Sequence, residues 1–327
     1  MFTGKKILVT GGTGMIGRQL VELLLKKGAT VRIASLDDPS RADERAEFVH
    51  ADLTELSTCM KLCEGMDFVF HLAGIKGSPK MTREKPARFF VPTILMNTNM
   101  LEAARRNKVR WTLYTSTIGV YAPKDVFYED DVWKSFPSDN DKFAGWAKRM
   151  GELQAEAYKE EDGTANISIV RPANVYGPYD NFDPENAMVI PALIARATGG
   201  EDPFVVWGDG SAVRDFIHAR DVARGMIHVV EKKETRPVNL GSGKGYAIKE
   251  IVEMIISNLD TSPHIEWDTT KPSGDAVRIM DTARATSIGF TPSVSLEAGI
   301  KETMEWYRAN KDVTDKRYNV FKDKSPS

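Results

Sequence analysis

The chain has 327 residues, a net charge of −2, a sequence pI near 6.3 and 42% apolar residues. That length holds one large α/β unit or two intimate domains. The balanced charge argues against a nucleic-acid surface, and no apolar stretch is long enough to span a bilayer. Cys59 and Cys63 lie four apart without His or Cys neighbours at ligand spacing, so they read as small helix residues and no metal site is expected. Met1 leads directly to a strand with no signal-peptide core, and a cytoplasmic setting is expected.

The first strand is Lys6-Ile7-Leu8-Val9-Thr10, followed by Gly11, Gly14 and Gly17 at the spacing G-x-x-G-x-x-G. A helical pattern follows, Leu20, Val21, Leu23, Leu24 and Leu25, closed by Gly28. In this strand–turn–helix setting Gly11 allows the tight turn, Gly14 lets backbone approach a pyrophosphate, and Gly17 packs the helix on the strand. Helix amides then face the phosphates. A second strand, Thr30 to Ala34, ends before Ser35, where an acidic residue would select NAD through the ribose 2′-hydroxyl. Asp37 and Asp38 would repel a 2′-phosphate and Arg41 could attract one. NAD and NADP both stay open, leaning towards NAD.

Phe48 to Leu53 predicts a third strand whose Asp52 can reach an adenine, and Asp67 to Gly74 a fourth with small residues beside the cofactor. Helices are predicted from about Pro92 to Asn107 and Asp141 to Glu160, flanking a central strand that starts at Trp111 and runs through Thr115, Ser116 and Thr117 towards Tyr121. A strand at Ile167–Val170 follows. The loop-rich stretch from Pro172 to Pro191 suits function. Beyond it come helix Ala192–Ala197, strand Phe204–Trp207, helix Val222–Val230, a strand from Val238 and a final α+β stretch to about Ala309. The tail from Asn310 is polar and expected to fray. Alternating strands and helices imply a doubly wound parallel sheet with ligand at the strands' carboxyl ends. A hydroxyl at the end of the central strand and Lys148 can both face a nicotinamide. A tyrosine four residues before the lysine would share its helix face and transfer a proton. That position is Ala144.

Taken together, the glycine motif, Asp52-Leu53, His71-Leu72-Ala73-Gly74, Thr115 to Tyr121, Lys148 and Arg171-Pro172-Ala173-Asn174-Val175-Tyr176-Gly177-Pro178 resemble the extended short-chain dehydrogenase/reductases that act on nucleotide sugars. The resemblance covers about residues 5 to 308. It implies an α/β fold: a Rossmann-type doubly wound sheet over 1–176, with a return segment near 215–242, and a smaller α+β substrate domain over 177–309. The second half looks most like GDP-fucose synthases, through Gly177 to Pro184, Val189 to Ile194, Val206 to Gly210, Arg214 to His218 and Lys271-Pro272-Ser273-Gly274. Carried over by position, Thr117 is the catalytic hydroxyl and Lys148 the catalytic lysine. The cofactor would meet Gly11, Thr13, Gly14, Met15, Ile16, Gly17, Ser35, Asp37, Asp52, Leu53, Leu72, Ala73, Gly74, Thr115, Lys148, Pro172 and Val175. A nucleotide sugar, GDP-linked by preference, would meet Lys76, Ser116, Thr117, Asn174, Val189, Arg196, Val206, Trp207, Arg214 and Arg278. A homodimer packing the helices near 92–107 and 141–160 is implied by the same resemblance.

Fucose synthases carry a cysteine two residues after the catalytic hydroxyl and a histidine before the Val-Ile-Pro stretch, and use them to epimerise C3 and C5. Gly119 and Met188 stand there and cannot move a proton. Ala144 admits two readings: the natural protein dispenses with the tyrosine, or the chain is an engineered variant that traps substrate. The intact surroundings favour the second. Three functions follow: a reductase at C4 of the sugar, an NAD-retaining C4 epimerase, and a non-catalytic dinucleotide-binding regulator.

Overall fold

The computed structural model describes residues 1–75, 79–163, 166–184, 186–271, 274–311 and 318–319, with backbone alone for 79–81. The first half builds β1 (Lys6–Thr10), α1 (Met15–Lys26), β2 (Thr30–Ser35), β3 (Glu47–His50), α2 (Leu56–Cys63), β4 (Phe68–His71), α3 (Pro79–Glu84), α4 (Pro86–Arg106), β5 (Trp111–Thr115), β6 (Val126–Phe127), α5 (Lys142–Asp162), β7 (Ile167–Pro172) and β8 (Asn174–Tyr176). Next come α6 (Val189–Thr198), β9 (Phe204–Trp207), β10 (Val213–Arg214), β11 (Phe216–His218), α7 (Ala219–Glu231) and β12 (Val238–Leu240). The chain closes with β13 (Tyr246–Ala247), α8 (Ile248–Ile256), β14 (Ile265–Asp268), β15 (Val277–Met280), α9 (Ala283–Ser287) and α10 (Leu296–Ala309).

Seven parallel strands form the main sheet in the order β3-β2-β1-β4-β5-β7-β12. This is the Rossmann-type doubly wound sheet. Strand order reverses between β1 and β4, which opens a crevice at their carboxyl ends. Strand periodicity decides both cores. Ile7, Val9, Phe68 and Phe70 pack on the α1/α7 side with Leu20, Leu24 and Met226, while Leu8 and Val69 pack on the other side with Cys59, Cys63 and Met100. Burial pushes both thiols up to about 12. A separate core joins Tyr176, Phe182, Ile194, Phe204, Ile255 and Met304. Among the described residues no helix is long and apolar enough to cross a membrane.

Several elements end earlier than their composition suggests. β3 stops at His50 because its sole ladder partner, β2, runs out at Ser35, leaving Asp52 and Leu53 in a loop. β4 stops at His71, level with Thr10, where β1 turns away at Gly11. Conversely, α4 begins at Pro86, not Pro92. Pro86 occupies the first turn, where no amide is needed, and Pro92 is carried inside the helix.

Candidate active site

One cleft of about 1450 Å3 runs along the carboxyl ends of the central strands. It is lined by each of the 17 expected cofactor positions, with Ser116, Thr117, Ala144, Asn174, Val189, Arg196 and Arg278. Lys76, Pro272, Ser273 and most of the tail lie outside the described residues.

The glycines divide the work at the phosphate end. Gly11 has φ +70°, and a Cβ there would lie 3.0 Å from Ala73 backbone atoms. At Gly17 a Cβ would meet the Gly11 carbonyl oxygen at 2.1 Å, so that glycine is a packing requirement. Gly14 differs: the nearest atom would be 3.4 Å away, an ordinary contact. It precedes α1, whose first turn has no side-chain cap and lines the cleft with Gly14, Met15, Ile16 and Gly17, where helix amides can meet an anion. A pyrophosphate fits this cradle. Gly14→Val should therefore fold but lose at least about tenfold, roughly 1.4 kcal/mol, in dinucleotide affinity. Calorimetric titration checks this, and unchanged affinity in a folded variant would remove the phosphate assignment.

At the far end of the cradle, the Thr13 hydroxyl donates to Asp37 Oδ2 at 2.6 Å and lies 2.8 Å from Ser35 Oγ. Ser35 Oγ accepts from the Asp37 amide at 3.1 Å. Arg41 stands 3.8 Å from the same carboxylate, and the Tyr318 amide donates to Asp37 Oδ1 at 2.8 Å. Asp52 Oδ1 closes its own turn by accepting from the Thr54 amide and hydroxyl.

At the sheet centre, β5 delivers three hydroxyls in a row. Thr115 Oγ1 is buried with no hydrogen-bond partner among the described residues. Ser116 donates to Glu152 at 2.5 Å, and Glu152 makes a bidentate pair with Arg171 at 3.0 and 2.6 Å. Thr117 Oγ1 accepts the Gly119 amide at 3.3 Å, which opens a short 3-10 turn and leaves the hydroxyl proton for the cleft. The N-terminus of α5 fits against this turn because residue 145 is glycine: a Cβ there would lie 2.4 Å from the Gly119 carbonyl oxygen.

Lys148 Nζ lies 3.5 Å from Asn97 Oδ1 and 5.2 Å from the Tyr114 ring centre. Burial lowers its pKa to about 8, against the opposing pull of Glu152. Asn97 Oδ1 also meets His71 Nε2 at 3.0 Å, and His71 Nδ1 meets the Thr10 hydroxyl at 2.8 Å. Thr10 Oγ1 already accepts the Leu72 and Ala73 amides, so its proton goes to Nδ1 and His71 carries its own proton on Nε2. Burial, helped by Lys148, pushes that imidazole down to about 3, so it stays neutral.

On the sugar side, Asn174 Nδ2 donates to the Asp215 carbonyl oxygen at 2.9 Å, and Arg196 is held by Glu201 and the Val205 carbonyl. Arg214 and Arg278 stand in register on the parallel strands β10 and β15. Burial lowers the Arg214 guanidinium from its usual value, and Arg278 lowers it further. Asp275 and Asp141 oppose that shift, and Asp275 stands 3.8 Å from Arg278, so carboxylates of the chain already balance part of this paired charge. Arg278 lines the cleft and donates to Asp141 at 2.8 Å; Arg214, beside it on the neighbouring strand, is not in the lining. Val206 and Trp207 are not brought to the cleft either. β9 turns Val206 into the second core and leaves Trp207 63% exposed.

Set beside known proteins, residues 7–241 match the profile described as the NAD dependent epimerase/dehydratase family. The chain belongs to that family. It is 31% identical to GDP-L-fucose synthase 1 of Arabidopsis thaliana, over 93% of this chain and 94% of that one. It is 30% identical to dTDP-4-dehydro-6-deoxy-D-allose reductase of Streptomyces bikiniensis, over 94% and 97%. Among solved structures, an epimerase from Methanothermobacter thermautotrophicus superimposes with a TM-score of 0.85 at 26% identity, covering 96% of this chain and 95% of that one.

Four groups in this family member's site escaped sequence reasoning: Asn97, Asp141, Glu152 and Asp215. Asn97 and Glu152 sit on helices, where a polar residue looks solvent-facing until tertiary packing buries it. Asp215 is fully buried, accepts the Ser242, Gly243 and Met280 amides, and is pushed up by burial. Its place directly before the apolar pair Phe216-Ile217 was its one sequence signal.

Proposed function

We propose that this chain transfers hydride at C4 of a nucleotide-linked hexose, with a GDP-sugar as the favoured substrate. The observation that carries this reading is the continuity of one cleft from the Gly11–Gly17 cradle, past Thr117, to Arg278. A dinucleotide on the cradle and a sugar diphosphate near the arginines would meet beside β5. A nicotinamide bound there would supply the hydride chemistry. Thr117 polarises the sugar oxygen, Lys148 holds the ribose beside Gly74, and Arg278, backed by Arg214, takes the diphosphate in charge-assisted hydrogen bonds. Asp37, presented by Thr13 and Ser35, supports NAD as cofactor.

The same apparatus serves a reductase or a C4 epimerase. The reductases and synthases among the relatives favour the first; Asp37 favours the second, because an epimerase retains NAD. Gly119 and Met188 argue against inversion at C3 and C5. The test is single-turnover hydride transfer, followed by nicotinamide absorbance, on a panel of GDP-, dTDP- and UDP-sugars in heavy water. Transfer with C3 and C5 unlabelled is expected. Absence of transfer on every sugar that binds would sink the enzymatic reading in favour of a dinucleotide-binding regulator.

A homodimer is part of this reading. Val91 on α4 and Leu153 on α5 expose apolar surface outside the cleft on two packed helices. Sedimentation showing only monomer would remove it.

A further inference from the structure

The proposed chemistry needs a group that takes the proton from the sugar hydroxyl, and Ala144 cannot. We propose that the Asp141 carboxylate takes it. This rests on the reading of the site as a hydride-transfer centre.

Asp141 precedes α5, three residues before Ala144, and so lies one turn below it on the same face. Its side chain fills the space in front of Gly119. A Cβ at Gly119 would lie 3.3 Å from Asp141 Cβ, 3.4 Å from its Cγ and 3.5 Å from Thr117 Cγ2. Asp141 and Thr117 therefore border the same point, and both line the cleft beside Ala144. Lys148 occupies a different place. Its Nζ would be 3.8 Å from a Gly74 Cβ and is directed to Asn97, on the cofactor side of the cleft. The carboxylate is aimed by Arg278, which reaches it across 137 residues of sequence. It makes no side-chain cap hydrogen bond to α5.

In the oxidative direction the hydroxyl O–H breaks and its proton passes to an Asp141 oxygen. With an oxidised nicotinamide in the cleft to accept it, the C4–H electron pair would leave as hydride and C4–O would become a carbonyl. Reduction returns hydride to C4 and the same proton to oxygen. Thr117 donates to the sugar oxygen throughout. A carboxylate on this side also accounts for Gly119, since any larger residue would push Asp141 away from Thr117.

The experiment compares the chain with Asp141→Asn, Ala144→Tyr and the double variant, reading single-turnover hydride transfer and, separately, calorimetric sugar binding. Asp141→Asn should lose about 10²-fold in rate, while thermal unfolding stays close to that of the parent and sugar affinity, with Arg278 released from the carboxylate, does not fall. In the Ala144→Tyr background the phenol takes over, and adding Asp141→Asn should cost less than about threefold, a strong non-additivity. Parental turnover with an unaltered rate in Asp141→Asn overturns this inference and leaves the function standing. So does an equal loss in both backgrounds, which is what a merely structural role gives. Heavy-water label at C3 or C5 that vanishes in Asp141→Asn would place the carboxylate against carbon and also overturn it. No hydride transfer by any of the four proteins overturns the function itself and this inference with it.

Discussion

Ala144→Tyr is expected to raise single-turnover hydride transfer by up to about 10²-fold, the margin left when a phenol contributing roughly 10²–10⁴-fold takes over from a carboxylate that already contributes about 10²-fold. Residue 144 is half-buried and lines the cleft, four residues before Lys148 on one helix face. A phenol there would reach towards Thr117 and the sugar oxygen. Below about pH 8 Lys148 carries its charge, which stabilises phenolate, so the variant's rate should depend on a group ionising well below a free phenol. Nucleotide-sugar affinity should change far less than rate, because Asn174, Arg278 and the cradle are untouched. The measurement is stopped-flow absorbance on both proteins with each sugar that binds. A gain fits either origin of Ala144, natural or engineered. If neither the parent nor Ala144→Tyr transfers hydride on any bound sugar, the chain is better read as a dinucleotide-binding regulator.

The parts of this architecture that sequence makes visible are those set by local period and local chemistry. Alternating apolar residues in β1, the 3.6-residue pattern of α1 and the glycine spacing between them depend on neighbours within about one turn or strand. Phe204–Trp207 was legible for the same reason. The orientation of β9 was not: Val206 and Trp207 both looked like cleft residues, and only the second core shows which way the strand faces. Strand ends at His50 and His71 are set by where β2 and β1 stop, information held elsewhere in the chain. The partners that tune the site are similarly remote. Asn97 meets Lys148 across 51 residues and His71 across 26, so its polar side chain on an amphipathic helix gave no hint of burial.

Glu152→Ala should destabilise the protein by about 3–5 kcal/mol, the usual cost of breaking a buried ion pair from one side. Glu152 and Arg171 are 3% and 1% exposed, so neither can turn to water. Burial pulls the Arg171 guanidinium down, but Glu152 and then Tyr121 more than offset it and hold it above its usual value. Arg171 also donates to the Tyr121 hydroxyl at 3.0 Å and the Glu129 carbonyl at 2.8 Å, and Tyr121 donates to Asn239 at 2.5 Å. Alanine would strand a cation among these groups and free the Ser116 hydroxyl. Ser116 sits between Thr115 and Thr117, so the loss should also loosen the reacting hydroxyl and lower hydride transfer under folding conditions. Urea titration measures the stability term. The decisive comparison is Glu152→Ala with Arg171→Met: removing both charges should recover much of the loss, because the penalty comes from the uncompensated guanidinium rather than from the missing pair. If the double variant is as unstable as Glu152→Ala alone, packing around Glu152 and not charge is what α5 and β7 need. If turnover recovers along with stability, the pair supports the fold without setting the position of Thr117.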